Sequence, residues 1–204
     1  MFDIDDTLLN AKRFNEDICA QYCALMKISH DEFFKIRVEE YTSHLATMND
    51  MDPTELCKVL QKHAPKISLG TLVSIYFSAP DVYYRSLFDD VISCIENLSK
   101  TNQLGIFTEG VEKYQWMKLE SFGILKYLEP DFLFVLRNKL TKETFESLPE
   151  GAIIIDDKPI NIQALLACGR SDLHPILLDR QSLHQDLKLE SIKSLTEIKY
   201  LKYF

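Results

Sequence analysis

The segment Phe2-Asp3-Ile4-Asp5-Asp6-Thr7-Leu8 gathers three carboxylates and a hydroxyl within a few positions. Two further polar groups close apolar runs, in Phe107-Thr108-Glu109-Gly110 and in Ile155-Asp156-Asp157. In an open parallel sheet, ligands bind beyond the carboxyl ends of the strands, so residues that end apolar runs are the ones to inspect. Carboxylates from separate strand ends, converging with a hydroxyl and a lysine, make a hard oxygen site suited to Mg²⁺. Each group alone carries a weaker reading. An Asp-rich segment is often a solvated cap or turn, and a single strand-end threonine usually bonds backbone. Lys139 and Lys118 taken singly read as solvated lysines, and Lys118 keeps that reading because it sits on an amphipathic helix. Asp89-Asp90 reads as helix N-terminal charge complementing the dipole.

The elements that must position these groups follow from periodicity. From about Phe14 to Ala79 apolar residues recur at helical spacing, as in Phe14, Ile18, Tyr22, Leu25 and then Phe33, Phe34, Ile36, Val38, Tyr41, Leu45. Asp52-Pro53-Thr54-Glu55 supplies an N-cap, a first-turn proline and an acidic third position, so a helix is predicted to run from there towards His63. From Ser86 the pattern alternates. Helix-period segments through Leu98, from Trp116 to Phe122, after Thr141 and from Ile160 to Cys168 are interleaved with apolar runs at 104–107, 132–135, 152–155 and 175–178. Strands apolar on both faces and separated by helices indicate a parallel sheet covered on both sides, a doubly wound α/β core. The helical stretch 12–83 is then an insertion into a core made of 1–11 and 84–204.

Asp3-x-Asp5-x-Thr7, Thr108 after an apolar strand and Ile155-Asp156-Asp157 followed by Lys158-Pro159-Ile160-Asn161 together resemble the first, second and fourth motifs of the haloacid dehalogenase (HAD) superfamily. The third motif is a lone lysine before a helix. Lys139, two residues before the predicted N-cap Thr141, suits it, with Lys142 as the fallback. The resemblance covers nearly the whole chain, and the insertion matches the small helical cap of many members. It implies a Rossmann-like core and a Mg²⁺-dependent phosphomonoester hydrolase. Asp3 is then the nucleophile and Asp5 the acid and base, while Thr108 binds a phosphate oxygen and Lys139 offsets charge. Asp157, Asp3 and the backbone carbonyl of Asp5 would hold the metal, Asp156 would support that shell, and Asn161 would orient the loop. All are expected to converge at one cleft facing the insertion. The motif commonly has glycine where this chain has Asp6. The implied substrate is a small organic phosphate of the sugar phosphate or nucleotide class. A phosphomutase and a non-catalytic regulatory or binding protein on the same fold are the alternatives. A dehalogenase is disfavoured, because a leaving halide needs no acid at Asp5.

Composition narrows the rest. A net charge of -8 lacks the clustered basic residues that hold phosphate backbones, so a nucleic-acid partner is not expected. No apolar run is long enough to span a bilayer and no basic and apolar leader is present, so a membrane partner is not expected and the location read is cytoplasmic, as a monomer or homodimer. The five cysteines read as reduced, packed thiols. Cys19 and Cys23 could share a helix face, but two thiols without a matching His or Cys pair make a poor zinc site, and the five histidines show no ligand spacing. The aromatic residues of the insertion read as core more often than as a substrate platform, with Tyr83 and Tyr84, near its exit, as the candidates to line the cleft. Only Met1 and Phe2 precede Asp3, so the first strand looks cut short, with a natural start upstream or a tolerated defect as the two expectations.

Overall fold

The computed structural model describes residues 1–41 and 51–202 and divides into two compact units. The first comprises Met1–Asn10, Leu87–Glu109 and Gly123–Phe204, and the second Ala11–Ser86 with Gly110–Phe122. The segment 110–122, read from sequence as part of the core, groups with the helical unit.

In the first unit, β1 (Ile106–Glu109) pairs in parallel with β2 (Leu133–Leu136), and β3 (Ile153–Asp156) with β4 (His174–Leu178), which in turn pairs with the two-residue β5 (Ser191–Ile192). Phe2 joins the two groups, bridging in parallel to Ile106 on one side and Ile155 on the other. The strand order is therefore β2, β1, Phe2, β3, β4, β5. The doubly apolar runs are explained by this arrangement. Phe107, Leu148, Ile154, Leu165 and Leu173 form one buried cluster, packed at its edge by Met1, Phe134, Phe145 and Cys168.

The central position is short, as the sequence suggests, yet it is paired on both sides. Phe2 N–H donates to Gly105 O (3.0 Å) and Phe107 N–H to Phe2 O (2.9 Å), while Ile155 N–H donates to Met1 O (3.0 Å) and Asp3 N–H to Ile155 O (2.9 Å). The Met1 ammonium donates to Ile153 O at 2.6 Å, and burial pushes this amine down to about 5. Next to it lies a cavity of about 240 Å³ lined by Met1, Phe2, Gln103, Leu104, Ala152 and Ile153 among others. Four β-branched residues added before Phe2 are expected to fill this space and continue the ladder. The gain should be roughly 1–3 kcal/mol, the scale of one or two buried amides acquiring partners, or several degrees in Tm. The extension also removes a pH dependence. The Met1 amine titrates near 5 when folded and near 8 when unfolded, so the unfolded chain takes the proton first and stability falls as pH drops through that window. Melting curves of the two chains at pH 8 and pH 5.5 should therefore diverge further at the lower pH, and equal gaps would contradict the buried amine.

Helices complete this unit. α6 (Val91–Leu98) begins at Asp90, whose side chain makes no cap bond to its own helix. Asp90 stands at the helix N-terminus as read, and its carboxylate also takes a two-pronged pair from Arg180 (2.9 and 3.0 Å) and bonds from Ser194 Oγ (2.7 Å) and Leu195 N–H (2.9 Å). Arg180 also donates to Thr7 O (3.0 Å), tying the Asp-rich loop to the loop after β4. No sequence signal marks this link, because its members lie scattered along the chain. α8 (Lys142–Ser147) is capped by Thr141, and α9 (Pro159–Ala167) starts on Pro159.

The second unit is helical. It contains α1 (Ala11–Met26), α2 (His30–Lys35), α3 (Pro53–His63), α4 (Leu69–Phe77), α5 (Pro80–Arg85) and α7 (Glu112–Phe122), with a short π-helix at Ile36–Tyr41. Asp52 caps α3 through Thr54 N–H (2.7 Å) as its sequence demands. Leu45, read as part of the helical pattern, lies outside the described residues. Phe14, Tyr22, Phe33, Tyr76 and Tyr83 are buried and pack ring against ring, Tyr22 on Phe33 at 5.5 Å and Phe14 on Tyr83 at 4.5 Å. Tyr83 is therefore core, donating to Tyr76 O (2.9 Å), whereas Tyr84 is exposed. Lys118 is also corrected. It is 3% exposed, with Nζ 4.3 Å from the Tyr114 ring centre, because it lies on the same face of α7 as the buried Tyr114, Gln115, Leu119 and Phe122. Among the described residues no helix is long and apolar enough to cross a membrane.

Candidate active site

Asp3 follows directly on the one paired residue of the central strand, so its carboxyl emerges at the carboxyl end of the sheet and is buried. The chain then turns tightly: Leu8 and Leu9 N–H both donate to Ile4 O (2.9 Å each), and Asp6 N–H donates to Leu9 O (2.8 Å). Asp6 has φ 56°, a left-handed conformation that glycine adopts freely and that Asp tolerates better than most side chains. That geometry is the one a glycine would ease, and Asp6 holds it here. Asp5 is half-buried and close enough for its charge to raise Asp3.

Lys139 reaches this point from the loop after β2. Its Nζ donates to Asp3 Oδ1 (2.8 Å), Asp156 Oδ2 (2.6 Å) and Phe107 O (3.3 Å), and its backbone N–H to Glu109 Oε2 (2.8 Å). Lys142 is 83% exposed and pairs only loosely with Glu146. Asp156 is fully enclosed by donors. Besides Lys139 it accepts from Asn161 Nδ2 at 3.0 Å on both oxygens and from Lys158 N–H at 2.8 Å. Asn161, on the first turn of α9, thus clamps Asp156. Thr108 is buried on β1, next to Phe107, whose N–H bonds the residue before Asp3.

Asp157 differs from Asp156 in one respect that matters. Its Oδ1 is buried and has no hydrogen-bond partner. One carboxylate oxygen each of Asp3, Asp156 and Asp157 lies within 4.8 Å of the others. Octahedral ligands at about 2.1 Å from one ion stand up to about 4.2 Å apart, so Asp3 and Asp157 lie within reach of a shared cation while Asp156 stays held by its donors. The electrostatics agree. Burial, followed by the neighbouring Asp3 and Asp156, pushes Asp157 up to about 7, and burial offset in part by Lys139 puts Asp3 at about 6. Burial alone would lower Lys139, but Asp3 and Asp156 outweigh it and hold the ammonium up. Three carboxylates against one ammonium leave negative charge that a divalent ion can neutralise, and an unsatisfied buried oxygen marks where it fits.

Lys139→Ala is expected to cost about 3–5 kcal/mol, because it strands buried carboxylates, whereas Lys142→Ala should stay within about 0.5 kcal/mol. Urea unfolding without divalent ions measures both, and equal effects would show that Lys139 does not neutralise the cluster.

The family model for haloacid dehalogenase-like hydrolases matches residues 1–169. The chain belongs to this family. Solved structures share the hydrolase's fold over nearly its full length. YfnB from Bacillus subtilis, a HAD hydrolase bound to magnesium, is 20% identical with a TM-score of 0.69, covering 98% of this chain and 95% of its own. A HAD phosphatase from Thermococcus onnurineus is 19% identical with a TM-score of 0.62, covering 98% and 94%. The L-2-haloacid dehalogenase from Xanthobacter autotrophicus is 11% identical with a TM-score of 0.60, covering 98% and 96%. No curated protein matches the hydrolase in sequence. Fold likeness thus spans phosphatase and dehalogenase alike, and the chemistry must be argued from the site.

Proposed function

We propose that this hydrolase cleaves phosphomonoesters of small organic molecules, of the sugar phosphate or nucleotide class, through an aspartyl-phosphate on Asp3 and with Mg²⁺ as cofactor. The observation that carries the reading is the unpartnered Asp157 Oδ1 within reach of Asp3 and Asp156. Asp3, Asp157 and the backbone carbonyl of Asp5 would hold the ion, which supplies positive charge to the phosphoryl oxygens and to the carboxylates. Asp3 attacks phosphorus as the ester P–O bond breaks, and Asp5 gives its proton to the leaving alkoxide. Water then attacks the acyl phosphate, returns a proton to Asp5 and releases inorganic phosphate. Lys139 holds one Asp3 oxygen so that the other is presented, and Thr108 donates to a phosphate oxygen. Asp5 separates this reading from dehalogenation, since a halide leaves without a proton. Hydrolysis of an aryl phosphate that depends on Mg²⁺ and stops with EDTA supports the proposal. Dehalogenation of 2-haloacids without phosphatase activity refutes it.

The metal also sets a pH signature. Asp3 and Asp157 titrate at about 6 and 7 when folded and near 4 when unfolded. Their raised values contribute stability that is present below pH 4 and lost as pH rises through 6 to 7, roughly 2–5 kcal/mol in the metal-free chain. Mg²⁺ binds the ionised cluster, so the Tm increment from saturating Mg²⁺ is expected to be larger at pH 8 than at pH 5. Taking this increment at each pH cancels the Met1 amine, which no metal touches. An increment independent of pH would place the ion elsewhere.

A further inference from the structure

We infer that Cys19, Cys23 and His30 form a second metal site, for a thiophilic divalent ion of the Zn²⁺ class, independent of the proposed active site. The three ligand atoms lie within 4.8 Å of one another. Cys19 Sγ stands 3.8 Å from Cys23 Sγ and 3.7 Å from His30 Nδ1. Tetrahedral Zn²⁺ with sulfur at about 2.3 Å and nitrogen at about 2.0–2.1 Å requires S···S near 3.8 Å and S···N near 3.5 Å. The two distances from Cys19 match this geometry, and His30 and Cys23 stand within 4.8 Å of each other, close enough for side-chain rotation to complete the set.

The fold builds this geometry from local rules. Cys19 and Cys23, one helical turn apart, present their thiols from one face of α1 near its C-terminal end. The chain reverses through Lys27, which has φ 58°, and Ile28 N–H donates to Cys23 O (3.2 Å). Ser29 then caps α2: Glu32 N–H donates to Ser29 Oγ (3.2 Å) and Ser29 N–H to Glu32 Oε2 (2.8 Å). This reciprocal cap fixes His30 as the first residue of α2, and Cys23 Sγ donates to Ser29 O at 3.6 Å. No second pair of ligands joins the two thiols among the described residues, but the turn brings one imidazole, His30, that spacing along one helix could not reveal. The remaining cysteines are free and lie outside the cluster. Half-buried Cys19 and exposed His30 keep the site reachable, with a fourth position open to water or another ligand. Binding replaces two thiol protons: the reduced site and one M²⁺ give the bis-thiolate complex and two H⁺.

The test is titration of the full, reduced chain with Co²⁺, in excess Mg²⁺ so that hard oxygen sites are occupied, followed by displacement with Zn²⁺. The wild type should develop thiolate-to-Co²⁺ charge transfer and tetrahedral visible bands at one equivalent, both erased by Zn²⁺. Cys19→Ser, Cys23→Ser and His30→Ala should each weaken Co²⁺ binding by roughly 100-fold, the order expected for loss of one of three ligands. Cys168→Ser should leave binding unchanged. His30 is exposed, so His30→Ala keeps the test valid if a cysteine variant misfolds. Absence of the charge-transfer band in the wild type overturns the inference. So does a band that survives Cys19→Ser, unchanged affinity in His30→Ala, or a Cys19–Cys23 disulfide that persists under reducing conditions and excludes Co²⁺.

Discussion

Asp3→Asn is expected to abolish phosphomonoester turnover, with a loss of roughly 10⁴-fold or more, because the amide cannot form the covalent intermediate. Its folding should survive. Asp3 is buried beside Asp156 and near Asp5, and its carboxyl is already raised to about 6, so a neutral isostere relieves repulsion at neutral pH. Lys139 keeps its bond to Asp156 Oδ2 at 2.6 Å. The variant should therefore match or exceed the wild-type Tm in metal-free buffer at pH 8 while losing activity. Wild-type turnover in Asp3→Asn under saturating Mg²⁺ would rule out the covalent route. A collapsed fold would contradict the charge balance drawn for the cluster.

Asp5→Asn should cost roughly 10² to 10⁴-fold, the range of a lost general acid and base. The loss should depend on the leaving group. A nitrophenolate departs readily without a proton, whereas an alkyl or sugar alkoxide does not, so the variant should be less impaired on the aryl ester than on a sugar phosphate. Steady-state kinetics on the two substrates checks this. An equal loss on both would mean that Asp5 acts by position or charge rather than by proton transfer.

Much of the fold was legible because buried parallel strands leave doubly apolar runs and helices leave caps. Asp52 and Thr141 cap the helices expected of them. The strand boundaries moved where polar residues continue the ladder: the run 104–107 was expected, but Thr108 and Glu109 pair with Val135 and Leu136, which places β1 two residues later. β5 has only two residues and leaves no period to read. At the site, acidic pairs at strand ends pointed to the carboxylates and the resemblance assigned Asp157 to the metal and Asp156 to support; the donors that saturate Asp156, Lys139, Asn161 and the Lys158 N–H, come from packing that no local pattern shows. The same holds for Lys118 and for Asp90 with Arg180. Burial and pairing of a charged side chain are set by what packs across from it, not by its neighbours in sequence.

The most direct measurement is mass spectrometry of the chain quenched in acid during steady-state turnover of a phosphomonoester with Mg²⁺. The tryptic segment Met1–Lys12 is expected to gain the mass of one phosphoryl group, with fragmentation placing it on Asp3 and hydroxylamine removing it. Sustained turnover with that segment unmodified, or with the phosphoryl group on any other residue, would contradict it.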